Sequence, residues 1–164
     1  MGSCVFPGSF DPVTCGHMDL IKRASVLFDS VTVAVMVNIS KSGVIPFNDR
    51  VGILKKACRK IENVKVELWT GLLVDYMKMH PGSVILRGVR NAQEFEQEIN
   101  AADINRRILP GTETFLIPAS PEWTGVSSSM IRELASFGGN FKQFVPNSVF
   151  KDIQKHLKPL NAEK

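Results

Sequence analysis

No stretch of 18 consecutive apolar residues occurs in the chain. The longest apolar run, Val31 to Val37, is interrupted by Thr32 and has the length of a strand, so the sequence encodes no membrane-spanning helix. Cysteine is scarce. Cys4, Cys15 and Cys58 are odd in number, lie far apart and form no CxxC pair, which argues against a disulfide framework or a structural zinc site. The start Met-Gly-Ser-Cys-Val-Phe lacks the Ser or Thr that acylation at Gly2 requires at position 6, where Phe6 stands, and no signal-peptide pattern follows. The cytoplasm is therefore the expected compartment, with no membrane partner. A long basic run is also missing. The formal net charge of +4 is scattered, so anionic small substrates account for it as well as nucleic acid does. Internal repeats and low-complexity segments are absent.

What is present is the composition of a globular chain, 44% hydrophobic and 22% charged over 164 residues, enough for one ordinary domain spanning 1–164. Ser3 to Phe6 reads as a buried strand that stops at the turn signal Pro7-Gly8. From His17 to about Phe28, Leu20, Ile21, Ala24, Leu27 and Phe28 recur at helical spacing. The β-branched run Val31 to Val37 predicts a second strand. Val51, Leu54, Ala57, Cys58 and Ile61 predict a helix with Asn48 as its N-cap. Strands at Val64 to Leu68, Val84 to Arg87 and Thr114 to Ile117 follow, with a short helix over Leu72 to Met79. Phe95, Ile99 and Ala102 predict another helix, whose opposite side carries Glu98 and Asn105, seven residues and two turns apart and so able to face one cleft. Helices over Ser128 to Phe137 and Ser148 to Leu157 complete the chain, whose last few residues are polar and expected to fray.

Regular alternation of β and α predicts an α/β fold: a Rossmann-like, doubly wound, parallel five-stranded sheet with helices on both faces. Ligands bind such sheets beyond the carboxyl ends of the strands, here near residues 7–17, 38–41, 69–73, 87–90 and 118–129.

Chemistry-bearing residues gather in those places. Gly8 to His17, GSFDPVTCGH, lies between the first strand and the first helix. Backbone N–H groups at a helix start attract anions, glycines admit a phosphate to the main chain, and His17 adds a directed donor. No GK[ST] or GxGxxG is present, which sets aside the two common nucleotide-loop patterns. On the tetrapeptide alone, His17 as a mere helix cap is the competing reading. Arg87-Gly88-Val89-Arg90 sends two guanidinium forks from a strand end, either to phosphate or to carboxylate partners. In Trp123 to Ser129, WTGVSSS, hydroxyls and free N–H groups suit a second phosphate, with ordinary N-capping as the alternative. Lys41 follows the second strand into the expected cleft. Phe10, Phe47, Phe95 and Trp69 read as core or cleft wall, and His80 and His156 lack metal-ligand partners at useful spacing.

Taken in this order, the residues resemble the bacterial phosphopantetheine adenylyltransferase family, within the nucleotidyltransferases that carry the (T/H)xGH signature, here Thr14-Cys15-Gly16-His17. The likeness runs from about Cys4 to Leu157. It takes in Asn38 to Lys41, Gly71-Leu72-Leu73, RGVRN at 87–91, the FEQE helix with Asn105-Arg106, and the triple serine. It implies transfer of the adenylyl group of ATP to 4'-phosphopantetheine, yielding dephospho-coenzyme A and pyrophosphate, with Mg²⁺ arriving on ATP and a homohexamer as the assembly. By resemblance, His17, Lys41 and Arg90 are catalytic. Ser9, Phe10, His17, Gly88, Val89, Arg90, Glu98, Trp123, Thr124, Gly125, Val126, Ser127, Ser128 and Ser129 bind ATP. Ser9, Lys41, Leu73, Arg87 and Asn105 bind the acceptor, and no side chain is assigned to metal. Ser9 stands where Thr is usual, Ser42 where a second basic residue is common, and Gly125 where a bulkier residue is common. The rival readings are a related transferase with another phosphorylated acceptor, a nucleotide sensor without turnover, and, last, a nucleic-acid binder.

Overall fold

A computed structural model describes residues 2–37 and 43–159. Asn38 to Lys41, and with it the expected phosphate ligand Lys41, lie outside the described residues, as do Ser42 and the polar end from 160 onward. The elements follow in the order β1 (Ser3–Gly8), α1 (Cys15–Leu27), β2 (Ser30–Met36), α2 (Phe47–Cys58), β3 (Val64–Trp69) and α3 (Leu73–Lys78). Then come β4 (Ser83–Val89), α4 (Ala92–Ile108), β5 (Thr114–Pro118), α5 (Ser128–Ser136) and α6 (Phe150–Gln154). All strands pair in parallel, in the order β3-β2-β1-β4-β5. The expected Rossmann-like architecture is the one observed. From β1 the chain winds outward through β2 and β3, then crosses to β4 and β5. A crevice therefore opens beyond the carboxyl ends of β1 and β4, where the winding reverses.

The period of two along each central strand divides the core. Cys4, Phe6, Val31, Val33, Val35 and Leu86 point to one face. There they meet Leu20, Ile21 and Ala24 of α1, Ile53 and Leu54 of α2, Ile131 of α5 and Ile153 of α6. Val5, Ala34 and Ile85 point to the other face and meet Tyr76 and Met77 of α3. Ile21, Leu54, Ile131 and Ile153 are fully buried, each contributing roughly 1.5–3 kcal/mol of transfer free energy. Edge strand β3 buries only Val66 and exposes Lys65, a charge that blunts the free edge.

Several expectations are corrected. β1 does not stop at Phe6: Pro7 and Gly8 pair with Ala34 and Val35, because a strand with one neighbour on that side loses little from proline's missing N–H. Helix α2 starts at Phe47 after Pro46 with no side-chain cap, so Asn48 is not its N-cap. The last helix shortens to Phe150–Gln154, preceded by a single 3-10 turn. Phe95, expected as core or cleft wall, is 47% exposed, its helical neighbour Ile99 is 46% exposed, and α4 buries no residue at all. Its half-buried positions are Glu94, Glu98, Ala102 and Asn105, spaced by four, four and three, so the helix turns its polar stripe inward.

Candidate active site

Helix α1 begins with a reciprocal cap. Thr14, in extended conformation, accepts the N–H of His17 on Oγ1 at 3.1 Å, and His17 Nδ1 accepts the N–H of Thr14 at 3.1 Å. This is a capping box in which histidine does the work usually given to glutamate. The cap reading offered for His17 holds, and because the capped ring also lines the cleft, the cap does not exclude the functional reading. An acceptor at Nδ1 leaves the neutral ring with its proton on Nε2, one donor at the wall of a cleft of about 820 Å³. The ring lies edge-on to Phe10 at 5.0 Å and tilted to Phe6 at 6.3 Å. Burial first, then the positive charges of Arg90 and Arg87, push its pKa down to about 4.

Arg87 and Gly88, within β4, and Arg90, just after it, line the same cleft. Arg87 grips Glu98 bidentately, Nε donating to Oε2 at 2.8 Å and Nη2 to Oε1 at 2.5 Å, while Nη1 donates to the carbonyl of Pro7 at 2.8 Å. Arg90 repeats the design with Glu94, and its Nη1 donates to the carbonyl of Val126 at 3.1 Å. The hydrogen bond from Arg90 holds the Glu94 carboxyl below its ordinary range. The sequence left carboxylate partners and a phosphate role as alternatives, and the structure supplies the partners without closing the cleft to either arginine. A guanidinium has five N–H groups; three of them aim each fork, and two are left without a hydrogen-bond partner among the described residues. Gly88 has a packing reason of its own: a Cβ there would lie 2.2 Å from Leu20 Cδ1.

The serine loop combines bracing and opening. Ser127 caps α5 by accepting the N–H of Met130 at 3.1 Å. Ser128 Oγ donates to the carbonyl of Pro12 at 2.8 Å, and Ser129 Oγ accepts from Arg132 at 3.2 Å. All three line the cleft, as do Trp123 and Val126. Beneath them Asp11, 5% exposed, accepts the N–H groups of Val44 and Ile45 at 3.0 and 2.9 Å. It faces Arg50 at 3.5 Å and Arg132 at 3.8 Å. Arg50, 3% exposed, donates to the carbonyls of Ile45 and Ser9. Gly43 is required beside it, since a Cβ would fall 1.5 Å from Arg50 Nη2.

Of the residues expected from sequence, the cleft gathers Ser9, Phe10, His17, Arg87, Gly88, Arg90, Glu98, Trp123, Val126, Ser127, Ser128 and Ser129. Leu73 and Asn105 line a narrower cavity of about 290 Å³ that shares Pro7, Met36, Arg87 and Glu98 with it. Three expected residues are not among those that line the cleft: Val89 is buried, and Thr124 and Gly125 are exposed between the lining residues Trp123 and Val126. Sequence reasoning missed Asp11, Arg50, Glu94 and Arg132. Arg50 carried a signal, a charge one turn before Leu54 on a buried stripe. Asp11 carried another, a carboxylate between Phe10 and Pro12-Val13. Among the described residues no three His, Cys, Asp or Glu side chains converge to hold a metal.

The sequence profile of the cytidylyltransferase-like family matches residues 5–134. A curated phosphopantetheine adenylyltransferase of Clostridium perfringens is 41% identical over 159 residues, which is 97% of this chain and 97% of that one. One from Levilactobacillus brevis is 44% identical over 157 residues, 96% of this chain and 98% of its own. One from Clostridium novyi is 42% identical over 153 residues, 93% and 95%. Identity of this order over nearly the whole of both chains extends well beyond the motif loop, and the chain belongs to the cytidylyltransferase-like family and, within it, to the phosphopantetheine adenylyltransferases.

Proposed function

We propose that the cleft transfers the adenylyl group of ATP to 4'-phosphopantetheine, giving dephospho-coenzyme A and pyrophosphate. The observation that carries the reading is the capping box that leaves His17 one free donor, Nε2–H, on a cleft wall shared with Arg87 and Arg90. The reaction needs no enzyme nucleophile, because the acceptor phosphate is already anionic. One of its oxygens attacks the α-phosphorus in line and forms the new P–O bond. The bond from the α-phosphorus to the bridging oxygen breaks, and pyrophosphate leaves with the electron pair. Charge shifts onto the α-phosphate oxygens, and a donor already aimed there stabilises the transition state more than the ground state. His17 serves as that donor in its neutral form. Arg87, fixed by Glu98, holds the acceptor phosphate with Lys41, and Ser9 orients it. Arg90, Gly88 and the loop of Ser127, Ser128 and Ser129 hold the nucleotide. Leu73 and Asn105 take the pantetheine arm in the narrower cavity.

Mg²⁺ enters on the triphosphate in this reading, because Asp11, Glu94 and Glu98 are each engaged by arginine. When bound it withdraws charge from the phosphates. The exposed apolar residues Phe95, Ile99, Ile104 and Ile108 of α4 suit contact with other copies of the chain in a homohexamer. The reading puts the reaction in the cytoplasm, with neither nucleic acid nor membrane as partner.

Pyrophosphate release from Mg-ATP and 4'-phosphopantetheine tests the proposal. His17→Ala is expected to lower kcat about a hundredfold to a thousandfold. Release driven instead by nicotinate mononucleotide, or by glycerol phosphate with CTP, would reassign the acceptor. ATP binding without release under any pairing would make the chain a nucleotide sensor.

A further inference from the structure

We infer that Phe10 is a positioning residue for the proposed reaction: its ring is the support that sets the orientation of His17, and position 8 is glycine so that this ring keeps its place. Likeness to the family had put Phe10 among the ATP-binding residues. At 2% exposure, however, its side chain has almost no surface to offer a nucleotide. What the ring does touch is the machinery. It stands edge-on to Phe6 at 5.5 Å and to His17 at 5.0 Å. A Cβ at Gly8 would lie 3.0 Å from both Cε2 and Cζ of this ring, so any side chain there requires the ring to give by a few tenths of an ångström. The backbone at Phe10 has φ 46°, the left-handed region that a bulky residue rarely occupies, and the surroundings hold it there.

These contacts divide the control of the imidazole between two devices. The capping box fixes the Nδ1 end of His17 and its tautomer. Phe10, packed in a T-shaped contact at 5.0 Å, supports the ring whose Nδ1 end the cap anchors. Burial against the same ring contributes to the depressed pKa, which keeps Nε2–H a neutral donor. A donor displaced by a fraction of an ångström from a transition-state oxygen loses much of its effect while binding is nearly unchanged.

The proposal rests on the adenylyl-transfer reading, and its test separates the two. Gly8→Ala, Phe10→Leu and the double variant are compared with the parent chain in two measurements. One is pyrophosphate release with Mg-ATP and 4'-phosphopantetheine. The other is the titration of the His17 ring followed by NMR without substrate. Phe10→Leu is expected to lower kcat about tenfold to a hundredfold with KM for ATP changed less than about threefold. It should also move the His17 titration upward toward the ordinary 6.5. Gly8→Ala should lower kcat about tenfold, and that loss should vanish in the Phe10→Leu background, where no ring remains to be displaced. A rise in KM for ATP at unchanged kcat, strictly multiplicative losses in the double variant, or an unmoved His17 titration in Phe10→Leu would each overturn the proposal. Should Gly8→Ala fail to fold, Phe10→Leu decides alone. A parent chain that releases no pyrophosphate but whose His17 titration shifts in Phe10→Leu would defeat the acceptor assignment and leave the positioning role standing.

Discussion

The turn after β1 and the helix after β4 face each other across one cleft, and they are built by opposite rules. In the turn, Phe10, Asp11, Val13 and Thr14 are exposed by 5% or less, and the buried carboxylate of Asp11 ties the turn to α2, α5 and the Val44-Ile45 segment. Helix α4, 17 residues long, buries none of them. It presents Glu94 and Glu98 inward to aim two arginines, and leaves Phe95, Ile99, Ile104 and Ile108 outward. A group that must meet a developing charge gains from a rigid surround, because reorganisation during reaction costs rate. A helix whose task is to orient two forks can do so from one polar stripe, with its apolar stripe left for another surface.

The largest effect expected from this contrast is at Asp11. Asp11→Ala strips the counter-charge from Arg50, whose charge burial and then nearby Arg132 already disfavour, and unsatisfies two backbone N–H groups. A loss of about 3–5 kcal/mol in urea unfolding is expected, and a loss near zero would show that the turn is not braced by this network. Next in size is the pH dependence contributed by His17. Its folded-state pKa, about 4, lies below the ordinary 6.5, so the unfolded chain takes up the proton first as pH falls. Stability fully present above about 6.5 should decline progressively down to about 4, by up to about 3 kcal/mol, and then level. His17→Asn should abolish that segment of the stability profile, and an unchanged profile would place the ring in water. The smallest effect belongs to α4. Ile99→Ser should change the stability of the isolated chain by no more than about 0.5 kcal/mol while shifting sedimentation toward smaller species. A cost of several kcal/mol in the isolated chain would mean that this face packs on its own sheet and would dissolve the contrast.

Much of this was legible in the residues. β-branched runs bounded by turn signals gave the strands, their alternation with helical periods gave a parallel doubly wound sheet, and that topology put the site at the strand ends where Gly8 to His17, Arg87 to Arg90 and Trp123 to Ser129 lie. Glu98 and Asn105 were read toward the cleft, but less legible was that the apolar residues of α4 would stay exposed. Its apolar positions recur at helical spacing whether they pack on the sheet or on another surface, and spacing carries no direction. The Asp11, Arg50 and Arg132 cluster was hidden for a related reason. Its members stand far apart in sequence, and a charged residue looks solvated until the fold removes the water.

The sequence by itself determined the order of elements, the parallel sheet and the residue types at the cleft, because these follow from local periodicity and turn chemistry acting over a few residues. Only the tertiary structure decided which roles coexist. Long-range packing sets the capped His17 on the cleft wall, pairs Arg87 with Glu98 while both Arg87 and Arg90 line the cleft, and stands Phe10 against the histidine ring. Those outcomes depend on distances across the fold, which no local pattern encodes.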